Sequence, residues 1–192
     1  MSVSLHIHVN QPMSLIDLAT AAGNALHDLL NLQESIGVLA SFETSPLSEG
    51  TSVNCLSDLA PLVICSVHQH EEAVRVMTFK VPFSEQLPIS EWSSRADELF
   101  ASVECHSARS PLCWALVAAV GIAIARRSSS AVEDHSAFFR TMPDGLQPDA
   151  LLRSLAVTDM HPNVESAAID LYARMNKSAE ITVWLRKRES SG

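Results

Sequence analysis

Two His-x-His pairs, His6 with His8 and His68 with His70, come nearest to a reactive set in this chain by residue type and spacing. On a β-strand, residues two apart share a face, so each pair can aim two imidazoles at one metal ion. If the strand holding the first pair neighboured the hairpin holding the second, four nitrogens would converge, and zinc suits such a set. Glu71 and Glu72 stand beside the second pair, but no HExxH or HxHxDH framing surrounds either pair. The favoured expectation is therefore that the imidazoles lie on the solvent faces of half-buried strands, with His70 in the hairpin loop. No metal and no cofactor is expected.

The other reactive side chains are sparser. Cys105 precedes His106, but neighbours in sequence diverge, so a thiol nucleophile there needs a base from elsewhere. Ser128–Ser130 has no GxSxG elbow around it and reads as a helix terminus, where serine competes for local backbone bonds. No glycine-rich phosphate loop is present among the 6 glycines. Glu133, Asp134 and His135 follow one another just after the most apolar stretch of the chain. Such a trio suits either acid–base chemistry or the polar part of a binding surface. Glu133 and Asp134 are expected to be exposed and, with Asp144 downstream, to form a partner-binding face. Asp149 is explained by a helix start, whose partial positive charge favours an acid. Arg186-Lys187-Arg188 is a short basic run in a solvated tail, 186–192, and Trp92, Trp114 and Trp184 are too scattered to make a stacking platform.

The elements that must position these groups follow from periodicity. Leu5, Ile7 and Val9 alternate with polar residues, which predicts a strand with one buried face. Apolar residues at 15, 18, 19, 22, 26, 29 and 30 predict a helix after Ser14. Strands are expected over 35–43 and, briefly, 53–56. A hairpin is expected from 62–69 and 73–81, both rich in β-branched residues. Serines at 90, 93 and 94 suggest a helix running through Phe100. Leu112–Ala125 is apolar on every side and must be buried on nearly every side; at 14 residues it is short of the roughly 20 that span a bilayer. A short strand over 130–134, helices opened by Pro148 and Pro162, and a last strand over 181–185 complete the chain. The order predicts one α+β domain, 1–192, with a mostly antiparallel sheet covered on one face by helices and the Ala-rich helix at its centre.

Bulk composition narrows the function classes. A chain of 192 residues that is 47% apolar can bury one good core. A net charge of −9 disfavours nucleic acid and anionic membranes, and favours encounter with a basic partner. The four cysteines have no CxxC spacing and no secretory signal opens the chain, so a reducing cytoplasm is expected.

Ala115–Ala125 as a buried Ala-rich helix, Ala131–Asp134 as a short strand ending in acid, and Pro148–Leu152 as a Pro-acid helix start resemble a layout of small bacterial immunity proteins. Those proteins neutralise antibacterial toxins, including effectors delivered by type VI secretion. The resemblance covers about a quarter of the chain, and Ser128–Ser130 stands where a Gly-containing turn is usual. It implies a non-enzymatic cytoplasmic inhibitor that blocks the active site of a cognate toxin. Because members bind their toxins through different surfaces, it assigns no residues. The alternative expectation is a small hydrolase or metal-dependent enzyme using the His-x-His pairs or Glu133, Asp134 and His135.

Overall fold

In the computed structural model, residues 4–42, 63–80, 99–105, 110–134 and 145–175 are described. They form a six-stranded antiparallel sheet and four helices, an α+β fold. In chain order these are β1 (Ser4–Val9), α1 (Leu15–Leu30), β2 (Val38–Phe42), β3 (Val63–Val67), β4 (Ala73–Lys80), β5 (Leu99–Cys105), α2 (Pro111–Ser128), β6 (Val132–Glu133), α3 (Pro148–Leu155) and α4 (Val164–Arg174). The strand order is β2-β3-β4-β5-β1-β6.

The alternation read in β1 places Leu5, Ile7 and Val9 in the core and leaves Ser4, His6 and His8 half-buried on the other face. The same alternation sends Val63, Cys65 and Val67 of β3 inward. Against that inner face lies α2, the Ala-rich helix. Its start is fixed by Ser110, whose hydroxyl accepts from the Cys113 N–H at 3.1 Å, and by Pro111, which needs no donor partner in the first turn. All residues from Pro111 to Ala125 are buried, and α1, α3 and α4 pack around them. By length and composition this 18-residue helix could cross a membrane, but 89% of it is buried inside the molecule, as a core helix is. The rings of Trp114 in α2 and Tyr172 in α4 stack with centroids 6.5 Å apart.

The serines after α2 terminate it, as the sequence suggests. Ser129 adopts the left-handed conformation (φ 51°), and its N–H and that of Ser130 return to the Arg126 and Ala125 carbonyls. One expectation is overturned. Leu99 and Phe100 do not end a helix; they begin β5, which pairs with β1 on one side and β4 on the other. Being central, β5 is buried on both faces, so it shows no period-2 pattern. The strands expected over 53–56 and 181–185 and the tail 186–192 lie outside the described residues.

Candidate functional site

The sheet order decides the fate of the two His-x-His pairs. His6 and His8 sit on β1, while His68 and His70 belong to the turn after β3, and β4 and β5 intervene. Three strand spacings put β1 and β3 about 14 Å apart, so the four nitrogens do not converge. His6 lies 3.3 Å from the Ser4 hydroxyl, and the His8 ring packs on Phe100 at a centroid distance of 5.3 Å. Among the described residues, no three His, Cys, Asp or Glu side chains come together as a metal site.

Glu133 is directly opposite His6 in the β1–β6 pairing and half-buried on the same outer face. Asp134 corrects the expectation of exposure: one residue further along the alternation, it is only 6% exposed. The two acids therefore do not form one exposed pair. His135 and Asp144 lie outside the described residues, as does His106. Cys105 ends β5, half-buried opposite Val74. Asp149, in the first turn of α3, receives Arg126, with Nε at 2.9 Å and Nη2 at 2.7 Å from one carboxylate oxygen.

At the N-terminus of α2 a cleft of about 290 Å³ gathers His70, Glu71, Glu72, Glu165 and Ser110. Its polar centre is structural. Ser110 donates to the Glu72 carboxylate at 2.9 Å while capping the helix, and an acid at that end is favoured by the helix dipole. A neighbouring cleft of about 340 Å³ brings His68 and His70 to the α4 side, where His161 is 3.5 Å from Asp170.

A third concavity, about 460 Å³, has a different character. It runs between α1 and β2, and its walls are mainly small or apolar: Leu15, Ile16, Ala19 and Gly23 from the helix, Leu39 and Ala40 from the strand. Ile16 is 79% and Leu39 54% exposed, large apolar side chains left open in the same groove. The sequence carries a signal for both. Ile16 stands off the apolar stripe of α1, and Leu39 is out of phase with the inward Val38.

Charge is unevenly spread along the sequence. Residues 1–74 contain eight carboxylates and no lysine or arginine, whereas 75–192 hold 13 cations against 14 carboxylates. Nearly all of the net charge of −9 thus belongs to the first 74 residues of the sequence. Comparison with protein-family models, characterised proteins and solved structures gives no match to this chain.

Proposed function

We propose that this protein is a non-enzymatic binding protein that neutralises a cognate toxin by covering its active site, the activity that the immunity-protein resemblance implies. The observation that carries the binding half is the α1–β2 groove, whose lining includes two large apolar side chains left exposed, Ile16 and Leu39. Exposed apolar residues scattered singly need no explanation; two sharing one groove are what a partner surface uses as its centre. The acidic character of residues 1–74, with Asp17 exposed next to Ile16 and Glu34 exposed before β2, supports a basic partner, since complementary fields accelerate encounter.

The experiment uses the product of the adjacent open reading frame. Purified together, the two proteins are expected to co-elute at fixed stoichiometry and bind with about nanomolar affinity. The chain should also rescue cells expressing that neighbour. A neighbour that is harmless to cells, or that is toxic but neither bound nor blocked, overturns the proposal.

A further inference from the structure

Within the sheet, β2 is an outermost strand: among the described residues it pairs with β3 and with no second strand. In an antiparallel ladder, alternate residues aim both backbone polar groups at the same neighbour. His68 donates to the Gly37 carbonyl at 2.9 Å, and the register Val38↔Val67 makes Gly37 and His68 directly opposite. Gly37, Leu39 and Ser41 therefore face β3, and Val38 and Ala40 turn their N–H and C=O groups to the free edge. Around Val38 that edge is closed by α1: a Cβ on Gly23 would stand 3.1 Å from the Ile36 carbonyl oxygen and in ordinary contact, at 3.7 Å, with the Val38 nitrogen. Around Ala40 it opens into the groove.

The helix flank beside this opening is shaped for another strand. Ile16, Thr20 and Asn24, spaced one turn apart, are exposed and line the groove with Ala19 and Ala40. They form a ledge continuing the inner layer past the last strand of the sheet. A strand added to β2 would set alternate side chains on Ile16 and Ala19, and the others beside Leu39 on the outer face.

Resting on the binding role proposed above, we infer that the Ala40 edge of β2 accepts an extended segment of the partner as a seventh strand, with alternating apolar and basic side chains. Main-chain bonds to Ala40 and apolar contacts with Ile16 and Ala19 hold it, with the basic side chains on the outer face, in the manner of strand addition to a sheet edge. The basic character follows from charge: Asp17 is exposed next to Ile16, Glu34 is exposed just before β2, and none of the residues lining the groove is a lysine or arginine. The same charge argues against a second copy as occupant. Pairing β2 with β2 would set two grooves without a lysine or arginine, each flanked by Asp17 and Glu34, against one another with no complementary charge.

The test uses the full chain and two labelled octapeptides, one alternating Lys and Val and its twin alternating Glu and Val, read by fluorescence anisotropy and by amide shifts. The Lys peptide should bind about tenfold or more tightly than its twin and shift the Ala40 amide. Ala40→Pro removes an edge N–H that bonds to nothing in β3, so the fold should persist while peptide binding drops about tenfold. Ile16→Ser, at a side chain already in solvent, should weaken binding with no change in stability and serves if the proline variant does not fold. Equal binding of the two peptides, or unchanged binding by both variants, overturns the inference. So does a concentration-dependent dimer lost in Ala40→Pro, or binding that appears only after residues 176–192 are deleted, since a second copy or the chain's own end would then be the occupant. If the neighbouring gene product fails to bind while the Lys peptide binds at Ala40, neutralisation falls and the docking edge stands. If that product binds wild type and both variants alike, the edge falls and neutralisation stands.

Discussion

Ser110 donates a 2.9 Å hydrogen bond to Glu72, joining the β3–β4 turn to the first turn of the helix at the centre of the core. The same hydroxyl accepts from the Cys113 N–H, so one side chain caps α2 and anchors the hairpin. Ser110→Ala removes both bonds at a site only 4% exposed, leaving a helix donor and a carboxylate without their partner. The expected loss is about 2 kcal/mol, read as a lower urea midpoint at unchanged slope. Ser110→Asp keeps the cap but sets a second carboxylate against Glu72, so it should be no better than alanine at pH 7. A variant at wild-type stability would show that hairpin and helix are held together without this bridge.

Gly121 marks where α2 crosses β1. A Cβ there would meet Leu5 Cδ1 at 2.8 Å, and Leu5 is fully buried, so its side chain has little room to retreat. Overpacking of this kind costs about 1–3 kcal/mol, against about 1 kcal/mol gained in helix propensity. Gly121→Ala should therefore destabilise by about 1 kcal/mol net. Leu5→Val withdraws the obstructing methyl, and the double variant should be more stable than the sum of the single effects by about 1 kcal/mol. Strict additivity would place the clash elsewhere.

How far these features were legible from sequence depends on how many faces of an element are buried. β1, β3 and α1 each hide one face, and their periods of two and of 3.6 residues are plain in the residues. α2 is buried all round and was legible for the opposite reason, its lack of any polar side. β5 hides both faces with the small residues Ala101 and Ser102 among its buried positions, so neither signal survives. The groove is not legible because Ile16 and Leu39 belong to different elements, and only the packing of α1 on β2 brings both into one lining. The burial of Asp134 is not legible because an acid after a strand reads as solvated; the alternation that puts Glu133 opposite His6 turns its neighbour away.

Arg126 and Asp149 tie the last turn of α2 to the first turn of α3 through contacts of 2.7 and 2.9 Å. Their side chains are 37% and 64% exposed, so solvent screens the pair heavily. Asp149→Asn is expected to cost no more than about 1 kcal/mol, the helix-dipole contribution included. Most of that difference should vanish in 1 M salt. A cost above that range that resists salt would mean that the pair orients α3 rather than merely decorating its start.

Cys65 sits on the inner face of β3, where burial pushes its thiol from 9.0 up to about 12. The unfolded chain ionises this group near pH 9 while the folded chain keeps it protonated, so between about 9 and 12 the native state holds more protons. Stability must then fall as pH rises through that window, by about 4 kcal/mol at most for a three-unit shift. Below pH 9 the group is neutral in both states and contributes nothing to pH dependence. Cys65→Ala should lose about 1 kcal/mol of packing at pH 7 yet show a shallower alkaline decline, so the two stability curves converge or cross above pH 10. The native thiol should also resist iodoacetamide at pH 8, because the thiolate is the reacting species. Parallel alkaline declines in the two proteins, or rapid alkylation of Cys65 without unfolding, would show that the thiol reaches water and is available for chemistry.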